Sequence, residues 1–300
     1  MLTCYLCCMY YLVYGFIRLL SLLPLQVLYW IGDFIYLIIF YGAGYRKKIV
    51  IGNLQRAFPE KSPAEINKLA RKFYHTFIDS MMEIIKLFSA NQSFIEKHVQ
   101  FDDSLINSPF LQGKVFQIHA CHQFNWEYMN LAVALKMKQP FVAVYMPLSS
   151  RIMERMFYKM RSQYGTVLLP ATDMKNRFNA WRQQPHGLVL VADQNPGHPN
   201  NSFWLPFFHQ LTPFVKGPER YAREKACPVV LIHSRIVKRG YYQLISELLT
   251  EDASQLQPGE LTKLYVKRMT EIIEQQPENW LWSHRRWKHQ WKPEYGEPLQ

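Results

Sequence analysis

The chain predicts an α/β fold, a mixed sheet flanked by helices, with an N-terminal membrane anchor, and three observations carry that reading. Residues 1–45 are almost unbroken in their apolar character. Runs rich in β-branched and aromatic residues at 115–118, 141–145, 188–192 and 229–234 read as strands of a sheet covered on both faces. Between them lie stretches with apolar residues at helical spacing, the alternation from which α/β sheets are built. The organisation expected is an anchoring segment over 1–45 and a globular domain over 46–300.

In chain order, Leu2 to Leu23 is long enough to span the roughly 30 Å of a bilayer's hydrocarbon, and Leu25 to Tyr41 falls slightly short of it. One anchor, or a hairpin with a shallow second arm, fits either way. No Lys or Arg precedes the apolar run and no small-residue cleavage site follows it, which argues against a cleaved signal peptide. Arg46, Lys47 and Lys48 then place the following chain on the cytoplasmic side. Pro59 ends a helix, and Ser62-Pro63-x-Glu65 opens another with Ser62 as its cap. An apolar stripe through Ile66, Phe73, Phe77, Ile84 and Phe88 gives that helix a buried face. His75 and Glu83 lie on it and read as structural residues.

The stretch Lys114 to Glu127, KVFQIHACHQFNWE, is the centre of the sequence. Val115, Phe116 and Ile118 form a strand, and from Asn125 the spacing of Trp126, Met129 and Val133 is helical, so the segment reads as strand, tight turn, helix. His122 falls in the turn and Glu127 in the first helical turn, where open α/β sheets place their sites. Residues five apart on one helix are separated by about 140° and do not face each other. A hydrogen bond between His122 and Glu127 therefore requires the histidine to stand outside the helix. A carboxylate accepting the Nδ1 proton would leave Nε2 free as a base toward a hydroxyl. The start of the Trp126 helix would supply backbone N–H groups for an oxyanion, and Asn125 would cap it.

Further on, Phe141 to Tyr145 is a strand, and Ser149-Ser150 caps a helix carrying Arg151, Arg155, Lys159 and Arg161. Arg161, just before a turn at Gly165, is the candidate for a phosphate or headgroup contact. Val167 to Leu169 is a third strand and Asp173 to Gln183 a short helix. The strand Leu188 to Ala192 ends in Asp193-Gln194-Asn195-Pro196-Gly197, a polar turn of the kind that presents side chains at a site. Gly217-Pro218 opens a helix toward Ala226, and Val229 to Ser234 leads through a hairpin at Lys238-Arg239-Gly240 into Tyr241 to Ile245. A helix over Leu261 to Ile273 precedes the aromatic and basic block Trp280 to Lys288.

Several of these segments resemble one family in order. His122, Asn125, Trp126 and Glu127 resemble the H-x-x-N-W-E block of the bacterial lipid A late acyltransferases, the lauroyl/myristoyl transferases of the glycerolipid acyltransferase superfamily. Arg46, Asn53-Leu54 and Phe58-Pro59-Glu60 are similar to that family's entry segment, Ala192-Asp193-Gln194 and Pro206-Phe207-Phe208 to its A-D-Q and P-F-F-G blocks, and Trp280 to Lys288 to its closing W-x-W-x-H-R-R-[FW]-K block. Met146 stands where the family usually has a basic residue, and His209 where it has glycine. The resemblance implies a glycerolipid acyltransferase-like fold, with the acyltransferase domain at 46–300. It implies transfer of a fatty acyl chain from acyl carrier protein, or acyl-CoA, to a hydroxyl of a lipid A precursor at the inner leaflet of the bacterial inner membrane. His122 and Glu127 would be catalytic, and Asn125, Arg161, Asp193, Gln194, Arg285 and Arg286 would contact substrate. Neither metal nor cofactor is needed for that chemistry, and nucleic acid is not an expected partner.

Composition agrees without deciding. A net charge of +12 and a pI near 9.4 call for an anionic partner. Cys4-x-x-Cys7 lacks a matching Cys or His pair and reads as membrane-facing packing, and the five cysteines suggest no disulfide framework. A metallohydrolase reading through His119-x-x-His122 lacks the H-E-x-x-H stacking on a helix, and His119 reads as a core histidine. A basic membrane or nucleic-acid-binding protein accounts for the charge but leaves the placement of His122 and Glu127 unexplained. Within acyl transfer, the other acceptor is a glycerolipid or aminolipid, whose enzymes carry H-x-x-x-x-D and E-G-x-R blocks that do not occur here.

Overall fold

The computed structural model describes residues 2–299, with side chains from 8 to 299 apart from Lys175. The side chains of Cys4 and Cys7 thus lie outside the described residues. Helices α1 (Leu2–Leu22), α2 (Leu25–Leu37), α3 (Lys47–Ala57), α4 (Pro63–Leu87) and α5 (Gln92–His98) precede most of the sheet. Then come β1 (Val99–Phe101), β2 (Val115–Ala120), α6 (Trp126–Lys136), β3 (Phe141–Tyr145), α7 (Arg151–Arg161), β4 (Val167–Pro170), α8 (Met174–Arg177) and β5 (His186–Val191). The chain closes with β6 (Ser202–Phe207), β7 (Gln210–Val215), α9 (Gly217–Glu224), β8 (Val229–Lys238), β9 (Tyr241–Thr250) and α10 (Glu260–Gln275).

Seven strands form one mixed sheet in the order β1-β9-β8-β2-β5-β3-β4, flanked by helices, as the sequence predicts. β8, β2, β5, β3 and β4 run parallel to one another, and the reversal is the β8–β9 hairpin. In register, Ala120 of β2 stands opposite Val191 of β5. The segments that leave these two central strands therefore emerge side by side at their C-terminal ends, where such sheets bind ligands.

Local chemistry explains most element ends. Ser62 caps α4 in a capping box with Glu65 and Pro63 follows at the first helical position, and Ser150 caps α7 by accepting from the Met153 amide. The helix expected over Asp173 to Gln183 forms only as the short α8 between two 3₁₀ turns. A separate hairpin of β6 and β7 was not anticipated: Pro206 and Pro213 interrupt its strand pattern, which a two-stranded ribbon tolerates because each strand has a free edge.

At the N-terminus, α2 continues as a π-helical turn over Ile38–Ala43 and stops at Gly44, whose φ of 60° suits the left-handed C-cap. The 19-residue stretch Leu25–Ala43, α2 with the π-helical turn that extends it, is long and apolar enough to cross a membrane, longer than the Leu25–Tyr41 arm expected to fall short. One face of α2 packs on α4 through Leu28, Tyr29 and Gly32, where a Cβ on Gly32 would meet Met82 Cγ at 2.9 Å. Arg239 of the β8–β9 turn clamps that contact, donating to Asp33 on α2 and to both carboxylate oxygens of Asp79 on α4. The other faces of α2 leave Trp30, Phe34 and Leu37 exposed, and α1 leaves Leu12, Phe16 and Leu19 exposed.

Candidate active site

His122 follows β2 by two residues and Asp193 follows β5 by two, so the parallel register sets them adjacent although they are 71 residues apart in sequence. The His122 Nδ1 and Asp193 Oδ1 lie 2.6 Å apart. Asp193 Oδ2 accepts from the His122 backbone N–H at 2.9 Å and from the Trp280 indole N–H at 2.8 Å. Asp193 is buried, and His122 keeps about a quarter of its side chain exposed. Burial alone would push the Asp193 carboxyl up. The charge and hydrogen bonds of His122, with the Trp280 indole, outweigh that and hold it at about 2. A permanently ionised carboxylate at Nδ1 fixes the proton on that nitrogen and leaves Nε2 as the basic atom.

The partner expected for His122 was Glu127, and the geometry corrects this. Glu127 accepts from Arg161 Nε at 3.0 and 2.9 Å on its two oxygens, from Arg161 Nη2 at 2.5 Å, and from the Trp126 indole at 3.1 Å. A guanidinium supplies paired donors matched to a carboxylate and engages both oxygens, and no hydrogen bond joins Glu127 to the His122 ring among the described residues. Arg161, expected as a free phosphate contact, is thus engaged. Its Nη1 makes no hydrogen bond among the described residues.

Asn125 caps α6 as expected, its Oδ1 accepting from the amides of Glu127 at 3.0 Å and Tyr128 at 3.4 Å. It is buried and touches the site through the helix it caps. Those two amides are consequently spent on the cap, which corrects the expectation that they serve an oxyanion. Of the remaining expected residues, Gln194 lines the cavity described below. Arg286 is fully buried, not a substrate contact: it donates to Asn195 Oδ1 at 3.2 Å and the Pro213 carbonyl at 2.9 Å, and lies over the Phe214 ring. Burial lowers its pKa to about 10, and it braces the Asp193–Gly197 turn from below. Arg285 is exposed, and its carbonyl accepts from Asn195 Nδ2 at 2.5 Å. His284 Nε2 accepts from the Asn195 amide at 3.2 Å, and burial lowers its pKa to about 4, which keeps it a neutral acceptor.

The entry segment and closing block meet here. Asn53 Nδ2 donates to the carbonyls of Trp282 and His284 at 2.8 and 2.7 Å, and Arg46 to that of Ser283 at 3.0 Å. Leu281 N donates to the His122 carbonyl at 3.1 Å, completing the frame around the turn. His119 is a buried core histidine bonded to Gln117 Oε1 at 2.7 Å, as expected.

His122, Glu127, Arg161 and Gln194 border a cavity of about 570 Å³ whose other walls are largely aliphatic and aromatic, including Met129, Val133, Phe141 and Val189. That volume lies within the range of small-molecule sites. A second groove of about 900 Å³ continues past Pro196 and Gly197, with Lys216, Arg220 and Arg223 along it, and Val215 borders both.

An ionised acid, an oriented imidazole and an apolar slot thus meet at the C-terminal ends of the parallel strands. Over residues 3–289 the chain matches the family described as bacterial lipid A biosynthesis acyltransferase, and it belongs to that family. It is 24% identical over 280 residues, 91% of this chain and 89% of the relative, to the lipid A biosynthesis lauroyltransferase of Escherichia coli (strain K12). The protein is accordingly an acyltransferase of lipid A biosynthesis.

Proposed function

We propose that the protein is an O-acyltransferase that moves a fatty acyl chain from a thioester of acyl carrier protein to a hydroxyl of a lipid A precursor, with His122 as general base and Asp193 as the group that orients it. The observation that carries this reading is the 2.6 Å contact between His122 Nδ1 and Asp193 beside an apolar cavity. His122 Nε2 takes the proton of the acceptor hydroxyl as its oxygen attacks the thioester carbonyl. The tetrahedral intermediate then expels the thiolate, which receives that proton from the imidazolium, so no acyl-enzyme forms. General-base help of this kind contributes about 10²- to 10⁴-fold. Arg161 Nη1 is the donor available to the thioester oxygen, and the Glu127–Arg161 pair fixes where that donor stands.

The alkyl chain lies in the apolar cavity, and the anionic headgroup of the acceptor lies toward Lys216, Arg220 and Arg223 of the second groove, which Glu219 and Glu224 also line. Residues 1–45 act as the membrane segment and 46–300 as the acyltransferase domain. The exposed apolar residues of α1 and α2 rest in the bilayer, and Arg46, Lys47 and Lys48 hold the catalytic body at the cytoplasmic face of the inner membrane. The test is purified protein in detergent with the lauroyl thioester of acyl carrier protein and a lipid A precursor lacking its late acyl chains. One added acyl mass per acceptor is expected, lost in His122→Ala. Absence of transfer, or a parallel assay in which lysophospholipid is acylated in preference, would overturn the acceptor assignment.

A further inference from the structure

Glu83 takes no part in the chemistry above, yet it is a fully buried carboxylate beside the site. Three elements converge on it. Tyr29 of α2 donates to Oε1 at 2.8 Å, Tyr242 of β9 donates to Oε2 at 2.6 Å, and Asn125 Nδ2 reaches Oε2 at 3.3 Å. Once ionised, as at pH 8, the carboxylate only accepts, so it can then serve all three donors at once.

The consequence lies in the two ends of the Asn125 amide. One end must donate and the other accept, and a buried amide with both ends engaged has a single orientation. Glu83 and the Ser80 carbonyl, the latter at 3.4 Å, accept from Nδ2, which turns Oδ1 onto the first amides of α6. From that helix start project Trp126, whose ring meets His122 edge to face with centroids 5.7 Å apart, and Glu127, which holds Arg161.

Building on the acyl-transfer reading, we propose that Glu83 is a positioning residue. By fixing the Asn125 amide it sets Trp126 and the Glu127–Arg161 pair against His122, and through Tyr29 it makes that setting depend on the seating of α2.

The test exchanges donor and acceptor across the Glu83–Asn125 contact in the full chain. Asn125→Asp sets a second carboxylate against Glu83, so the cap is driven from its place. Adding Glu83→Gln supplies an amide that donates to the carboxylate introduced at position 125, whose other oxygen again accepts from α6. At pH 8, with lauroyl-acyl carrier protein and a lipid A precursor, kcat is expected to fall at least tenfold in Asn125→Asp, with both KM values within twofold. The double variant is expected to return to within threefold of wild type. Deuterium exchange of the Glu127 and Tyr128 amides should follow the same pattern, accelerating at least tenfold in the single variant and slowing again in the double. That second readout needs no turnover. If the wild type transfers no acyl chain the functional reading fails, while the exchange pattern still decides the role of Glu83. A double variant that stays impaired, exchanges fast or does not fold overturns the proposal, as does an Asn125→Asp variant indistinguishable from wild type.

Discussion

Asp193→Asn tests the assignment of the base most directly, because the three hydrogen bonds to this carboxylate dictate the outcome. Oδ1 faces the His122 ring, and Oδ2 faces two donors, the His122 amide and the Trp280 indole. An asparagine can turn its oxygen to only one side. With the NH₂ toward the two donors, both would be left buried and unpaired at about 1–3 kcal/mol each. The variant therefore turns its oxygen to the backbone and indole and its NH₂ to the ring. Nδ1 must then accept, the proton moves to Nε2, and the base is lost with little change in fold. The kcat should fall by about 10²- to 10⁴-fold, the range associated with general-base help. Glu127→Gln keeps one acceptor for Arg161 and leaves the tautomer alone, so its loss should be nearer tenfold, about 1.4 kcal/mol. The assay is single-turnover acyl transfer at saturating donor and acceptor, with melting temperature as the check on folding. An Asp193→Asn variant within threefold of wild type, beside a Glu127→Gln variant reduced a thousandfold, would refute the reasoning and restore Glu127 as the partner of the ring.

Other consequences follow from the cavities and from the buried acid. Lys216→Gln with Arg220→Gln removes two cations from the groove beside the Asp193–Gly197 turn, and acceptor KM should rise about three- to tenfold with donor KM unchanged, since mostly exposed charges contribute modestly. Val189→Phe fills part of the apolar cavity, and competition between acyl donors of different length should shift toward shorter chains. Burial raises Glu83 to about 7, so the folded state holds its proton more tightly than the unfolded chain does. The stability this confers is complete below the ordinary glutamate value and is lost as pH rises through about 7, a change of about 3 kcal/mol. The titratable neighbours are Tyr29 from α2, Tyr128 from α6, Tyr242 from β9 and Asp79 on α4 itself, the last paired with Arg239 and His75. In urea unfolding, the advantage of wild type over Glu83→Gln should therefore shrink between pH 4.5 and 8, and an advantage that grows with pH would contradict the buried-acid argument.

What could be read from the sequence was what local pattern encodes. The buried run before His122, the change to helical spacing at Asn125 and the Ser62 cap each depend on neighbours within a few residues, and each appears where the pattern puts it. The identity of the group holding the imidazole depends instead on a pairing between β2 and β5, and no local period reports register between strands 71 residues apart. Glu127 was expected because it lies at the same strand-to-helix junction, near in sequence. Arg161, singled out by its place before the Gly165 turn, took that carboxylate, and no local pattern reported a partner 34 residues away. Asp33 follows the same logic: it stands in an apolar run, and its partner, Arg239, sits in a turn 206 residues away. With Tyr29 on Glu83 and Asp33 on Arg239, α2 is tied to the catalytic body at two depths, one buried and one at the surface. A segment that only tethered the body would need neither contact. The polar residues within α2 therefore act as docking groups, and they make the geometry around His122 sensitive to how the apolar helix is seated.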